Sequence, residues 1–373
     1  MDDATYSEQI RMCASCPKMC RHVCPTFFAW RSDAPTPHGR AMLLHYENVG
    51  TRPLDERAIE VLYQCLQCSH CLTWCLPEID IATIVETSRE RLVEQGRYPS
   101  ALEKLKQSIS KHHNPYDEKH ESRNKWFSQK ESKGRRAVYF SGCTAAYREQ
   151  SIAEDTVELL QTLDFQVVLP DDEWCCASPL FRTGFVNEAL AHAKHNVETL
   201  NAADAELIVV TCPGCYKTLT HDYPKHGLIL NKPLMHISQL LNDKVSACAG
   251  IRVGKRVTFH DPCHLGRHSG IYDPPREVIL KASGVKVTEM ERNRENATCC
   301  GNGSGLRTLF PEQARVIGNA RIQDAKQVEA EIIITSCPFC KNMLESQSDE
   351  SIEVLDLPEF VLRMMKGHYP KDD

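Results

Sequence analysis

Two rhythms of apolar and polar positions alternate along the C-terminal two-thirds of the chain. Short apolar, largely β-branched runs at 137–140, 165–169, 207–211, 285–288 and 331–335 are too brief for helices and read as strands. Between them lie segments with helical spacing. One starts near Ser151, carries Leu159, Leu160 and Leu163 on one stripe, and has Ser151 and Glu154 at the spacing of a capping box. Others cover 186–200, a stretch from Pro275 to the stop at Gly284, and 312–326. Strand–helix alternation predicts largely parallel sheets covered on both faces. The longest apolar runs, around 207–210 and 332–334, are strand-sized, whereas crossing a bilayer takes about 18 apolar residues.

This pattern occurs twice. Ala137-Val138-Tyr139-Phe140-Ser141-Gly142-Cys143 is answered by Arg256-Val257-Thr258-Phe259-His260-Asp261-Pro262-Cys263. Leu207-Ile208-Val209-Val210-Thr211-Cys212-Pro213-Gly214-Cys215 is answered by Ile332-Ile333-Ile334-Thr335-Ser336-Cys337-Pro338-Phe339-Cys340. Self-similarity at one long offset means two related domains rather than a solenoid. Lys111 to Arg136, between the N-terminal region and the first repeat, is dense in charge and almost free of aliphatic residues. It reads as a solvated tether, because such composition buries too little to fold.

Composition changes the picture in one respect. The 373 residues carry 44 Lys and Arg against 50 Asp and Glu, a net charge of −6, which argues against a dedicated nucleic-acid binder. The acidic start, Met1-Asp2-Asp3-Ala4-Thr5, shows no secretory signal, so a cytoplasmic, reducing location is expected. There, nineteen cysteines read as metal or redox sites instead of a disulfide scaffold. They fall into two runs of four (Cys13, Cys16, Cys20, Cys24; Cys65, Cys68, Cys71, Cys75), two sets of five (Cys143, Cys175, Cys176, Cys212, Cys215; Cys263, Cys299, Cys300, Cys337, Cys340) and a spare, Cys248, which reads as an ordinary small hydrophobe.

The run from Cys65 to Cys75 has the ferredoxin-type spacing, in which three thiolates hold one [4Fe–4S] cubane and the fourth reaches a second. The run from Cys13 to Cys24 has one extra residue before its third cysteine but keeps the closing Cys24-Pro25. Crossed ligation then puts Cys13, Cys16, Cys20 and Cys75 on one cluster and Cys65, Cys68, Cys71 and Cys24 on the other. Structural zinc, the alternative, is satisfied by four ligands, usually as two separated pairs. In the sets of five, the adjacent pairs Cys175-Cys176 and Cys299-Cys300 suit a multi-iron cluster better than one tetrahedral metal. Cys212-Pro213-Gly214-Cys215 and Cys337-Pro338-Phe339-Cys340 follow strands and place cysteines at helix N-termini, where the dipole favours thiolate. A thioredoxin-like dithiol would share that context but leave the remaining cysteines unexplained. Asp261-Pro262-Cys263 also looks like a helix start, which would align His260, His264 and His268 on one face. Of these, His264, beside Cys263, is the candidate proton donor or hydrogen-bond partner.

These motifs resemble the heterodisulfide reductase D/B type of iron–sulfur protein, with related subunits in glycolate oxidase, lactate-utilisation and anaerobic glycerol-3-phosphate dehydrogenase complexes. Thr36-Pro37-His38-Gly39-Arg40 is similar to a Pro-x-Gly-Arg element of several such subunits, and Cys299-Cys300-Gly301 keeps the "CCG" signature that Cys175-Cys176-Ala177 departs from. The resemblance implies a multidomain α+β/α-β chain. A mainly helical dicluster ferredoxin-like domain (1–110) and a charged linker (111–136) precede two tandem Rossmann-like α/β CCG domains (137–250 and 251–373). It implies two cubane clusters plus one or two noncubane [4Fe–4S] clusters, one on each set of five, with Cys300, Cys299, Cys176, Cys175 and His264 nearest the chemistry. The expected function is an oxidoreductase subunit working with a flavoprotein or a membrane-bound, quinone-reactive partner. The alternative is an electron-transfer module with no substrate chemistry of its own, in which every cluster would be covered.

Overall fold

The computed structural model describes residues 2–128, 134–170, 172–245 and 253–367. Cys248, the expected domain boundary near 250, and 129–133 of the charged segment lie outside the described residues.

The N-terminal region is helical. Its main helices, Asp3–Ala14, Pro37–Asn48, Glu56–Tyr63 and Ile81–Glu94, begin at Asp2, Thr36, Asp55 and Asp80, whose side-chain oxygens accept the free N–H groups of their first turns. In the Pro-x-Gly-Arg element, Thr36 is that cap and Pro37 takes the first helical position. Gly39 must be glycine, since a Cβ there would stand 2.4 Å from the carbonyl oxygens of Asp33 and Ala34. Arg40 is buried, donating to the Val61 carbonyl at 3.0 Å and to Thr26 at 3.3 Å.

Two parallel sheets follow. The first has the order β2-β1-β3-β4, with β1 at Arg135–Phe140, β2 at Phe165–Val168, β3 at Leu207–Val210 and β4 at Leu234–His236. The second has the order β5-β6-β7, from Val257–His260, Ile332–Thr335 and Glu353–Asp356. Phe140 pairs in register with Val210, and His260 with Thr335, so each sheet aligns its last strand residues identically beneath the cysteine loops. The expected helices appear as Val186–Ala202, Asp273–Ser283, closed by Gly284 at φ +67, and Pro311–Gln327.

Four expectations are corrected. The helix Gln150–Thr162 has no side-chain cap, because Ser151 donates instead to Glu359 of the C-terminal helix at 2.8 Å. Residues 285–288 form no strand; the partly exposed segment is held by Thr288 N–H to the Val257 carbonyl at 2.7 Å and by Val285 N–H to Ser283 Oγ at 3.3 Å. Residues 261–269 form turns closed on the Pro262 carbonyl, so no helix aligns the three histidines. The charged segment is no tether over 111–128: Arg123 is 2% exposed and ion-paired with buried Glu173, Asn114 is fully buried, and the Trp126 ring lies edge-on to Tyr139. Aromatic anchors and one paired arginine supply the burial that aliphatic residues do not.

Three apolar cores cross the boundaries between regions. One joins Ile10, Leu44 and Leu62 to Phe140 and Phe181; a second joins Tyr139 and Leu160 to Phe259 and Phe360; the third joins Leu66 to Ile317 and Leu344. At their junction Arg89, fully buried, donates to the carbonyls of Leu62, Cys65, Arg182 and Ser304, satisfying backbone from all three regions. Among the described residues no helix is long and apolar enough to cross a membrane.

Candidate functional site

The N-terminal cysteines form two groups. Around Cys13 stand Cys20, Cys16 and Cys75; burial first, then these neighbours, push its thiol up to about 12. Cys24, Cys65, Cys68 and Cys71 line a second, small cavity with Arg40. Lys18, Gln67 and Ser69 take left-handed backbone (φ +66, +49 and +54), which curls the loops around their sulfurs. Gln67 N–H points at the Cys65 sulfur at 3.4 Å and Ile79 N–H at that of Cys75 at 3.3 Å. Cys20 neighbours Cys24 as well as Cys75 and Cys16, so the two groups adjoin.

All ten cysteines of the two sets of five line one cavity of ≈ 500 Å³ between the repeats. Within each set the sulfurs neighbour one another in the same order. Cys143 touches Cys175, then come Cys176, Cys215 and Cys212; Cys263 touches Cys299, then Cys300, Cys340 and Cys337. Cys212 and Cys337 cap the helices Pro213–Lys217 and Pro338–Glu345, each with proline at its start. The Cys337 sulfur accepts from the Cys340 N–H at 3.4 Å. Two further contacts link the groups: Cys212 lies beside Cys337 across the cavity, and Cys68 lies beside Cys299. The Cys299 contact lowers the Cys68 thiol to about 7.

Ala177 and Gly301 both adopt left-handed backbone, at φ +65 and +91. Only Gly301 is also crowded, a Cβ there falling 2.5 Å from the Ala314 carbonyl oxygen, so the first repeat accepts alanine and the second does not. His264 lines the cavity, its Nδ1 3.4 Å from the Cys263 sulfur and its ring stacked on His268. Burial, with Arg182 and Lys217 adding to it, pulls the pKa of His264 to about 3, leaving a neutral imidazole.

Three supporting groups escaped the sequence reading. Glu173 accepts from the Ser141 and Gly142 N–H groups at 3.0 and 2.9 Å, holding the loop before Cys143. Arg267 donates to the carbonyls of Cys68, Glu295 and Ala297, clamping the Cys68 loop to that of Cys299. Ser304 donates to the Leu66 carbonyl at 2.9 Å. Bonds from side chain to distant backbone leave no sequence signature, although Glu173, two residues before a cysteine pair, was a signal of sorts.

The donor chemistry can be tested against a cofactor. Eighteen cysteines are free thiols, most of them buried and crowded. Crowding and burial disfavour thiolates in the bare protein, and a cationic iron cluster removes that penalty. Five sulfurs in one set exceed the four that tetrahedral zinc uses. Residues 9–79 match the 4Fe-4S dicluster domain, and 137–220 and 257–345 match the Cysteine-rich domain. The D-type subunit of dihydromethanophenazine:CoB–CoM heterodisulfide reductase from Methanosarcina barkeri is 34% identical over 95% of this chain and 93% of its own. The chain belongs to the heterodisulfide reductase D-type family of iron–sulfur proteins. The likeness extends to an EtfAB:quinone oxidoreductase of Syntrophomonas wolfei, 29% identical over 82% of this chain and 47% of that longer one. A hypothetical protein from Helicobacter pylori shares the fold, with a TM-score of 0.59 and 10% identity over 88% of this chain and 68% of that one. As a heterodisulfide reductase D-type protein the chain is an electron-transferring oxidoreductase subunit with 4Fe-4S and cysteine-rich domains.

Proposed function

We propose that the chain is the disulfide-reducing subunit of a cytoplasmic complex, with two cubane clusters at its N-terminal region and two noncubane [4Fe–4S] clusters facing each other across the cavity. The observation that carries this is that both sets of five cysteines wall one cavity of ≈ 500 Å³, which brings the two sets face to face. The cubane ligands are Cys13, Cys16, Cys20 and Cys75 for one cluster, and Cys65, Cys68, Cys71 and Cys24 for the other. The noncubane ligands are the two sets of five. Bound clusters supply the electrons singly. Cleaving a disulfide consumes two electrons and two protons and yields two thiols, which two facing clusters can serve. The chain's own part is to order the ligands and shield the cavity. The contact of Cys68 with Cys299 joins the second cubane ligand set to the C-terminal repeat, and the contact of Cys212 with Cys337 joins the repeats. Arg267 and Arg89 hold those loops in place. The electron donor is a flavoprotein or a quinone-linked membrane subunit, in keeping with the relatives' names.

Anaerobically purified protein should carry about sixteen iron and matching acid-labile sulfide, four per cluster. After reduction by a low-potential dye, a matching disulfide should reoxidise it with release of two thiols. Full iron with no thiol release from any disulfide, and reoxidation by quinone or flavin alone, would favour the electron-transfer module.

A further inference from the structure

His260 closes β5 at the floor of the second five-cysteine set and is 1% exposed. A ring nitrogen of His260 and the sulfurs of Cys300 and Cys340 all lie within 4.8 Å of one another. Nδ1 is occupied, because the Nε–H of fully buried Arg321 donates to it at 3.1 Å. Arginine has only donors and keeps its charge in proteins. The arginine therefore fixes the tautomer: Nδ1 is the acceptor and the ring proton sits on Nε2. That Nε2 is buried and lacks a partner at full hydrogen-bonding geometry, while His260 interacts at longer range with the Cys300 thiol. A buried N–H without a close partner is costly, so one set beside the Cys300 and Cys340 sulfurs indicates a stronger acceptor there when those sulfurs are loaded. At the equivalent strand end the first repeat has Phe140, and the donor to its sulfurs comes from elsewhere, Arg123 Nη1 standing 3.8 Å from the Cys143 sulfur.

We propose that His260, positioned by Arg321, donates a hydrogen bond from Nε2 to a sulfur of the cluster held by Cys263, Cys299, Cys300, Cys337 and Cys340. It thereby raises the reduction potential of that cluster. The inference rests on the cluster reading above. Hydrogen bonds to cluster sulfur stabilise the reduced, more negative state and raise the potential.

The test uses loaded holoprotein, with iron and acid-labile sulfide measured first. A redox titration followed by low-temperature EPR should show His260→Phe lowering one midpoint by about 59 mV, a tenfold change in a one-electron equilibrium, with the others unmoved. His260→Gln, which keeps a donor, should restore most of the shift. Pulsed EPR on unmodified protein should find an exchangeable proton and a weakly coupled nitrogen at that cluster. Unmoved midpoints in both variants at full iron would overturn the proposal. So would a strongly coupled nitrogen, which would make His260 an iron ligand. Iron near eight per chain in unmodified protein would instead overturn the cluster reading beneath it.

Discussion

The two cysteine-rich repeats set the same five ligands on the same strand ends, yet they secure them differently. In the first, a carboxylate from just before the cysteine pair, Glu173, reaches back to the Ser141–Gly142 backbone and is neutralised by buried Arg123. In the second, Asp261, two residues before its own Cys263, accepts the Arg294 N–H at 2.8 Å and is neutralised by Arg276, which Glu289 also holds. The first turns on Ala177, the second on a crowded Gly301; the first lays Phe140 beneath its sulfurs, the second His260. The cysteine positions match between the repeats, whereas the residues around them differ.

The largest effects should come from the ligands. Cys300→Ala and Cys176→Ala should each remove about four of sixteen iron and a different low-temperature EPR signal, leaving the cubane signals in place. If both variants removed the same signal, the cavity would hold one shared cluster and the comparison would collapse. Next in size are the loop anchors. Glu173→Ala strands the Arg123 charge in the interior and should cost about 3–5 kcal/mol in denaturant unfolding. Asp261→Ala should cost roughly 1.5–3 kcal/mol, because Arg276 keeps Glu289 at 2.6 Å. Equal losses would mean that the two anchors are equivalent after all.

Smaller again is the turn after each cysteine pair. Gly301→Ala meets the Ala314 carbonyl at 2.5 Å in left-handed backbone and should cost about 2–4 kcal/mol, strain and overpacking together. Ala177→Gly relieves the strain but loosens the unfolded chain, for a net change under about 1 kcal/mol. Matched thermal melts of the two variants decide it: similar shifts would show that the alanine position is as crowded as the glycine.

Much of this was legible in the cysteines. Their spacing separated fours from fives, and the repeat with its strands appeared because β-branched runs precede Cys212 and Cys337. What stayed hidden was set by partners far along the chain. Strands β4 and β7, three and four residues long, carry too little pattern to stand out. The segment 111–128 looked solvated because charge counts cannot show that Arg123 has Glu173 waiting for it. Ser151 looked like a cap because local spacing says nothing of Glu359. His260 was visible only as one of three histidines four apart, a helical period where the backbone is a strand end followed by turns. Its proximity to Cys340 depends on the pairing of β5 with β6.

The smallest effect probes whether the repeats act as one body. The helix Gln150–Thr162 of the first packs on Leu357–Met365 of the second, tied by Ser151 to Glu359 and by Lys366 to Glu158 at 2.9 Å. Asp155 sits in that seam. Burial first, then Glu359, raise its pKa from 3.8 to about 6, with Lys366 pulling the other way. The folded state therefore binds more protons than the unfolded state between those values, and stability falls as pH rises through the window. Asp155→Asn removes the charge that costs stability. Its melting temperature should exceed that of the parent above about pH 6, and the gap should close below about pH 4. A gap of constant size across that range would mean that Asp155 titrates normally. The seam would then be open, and the two cysteine sets would share a cavity only intermittently.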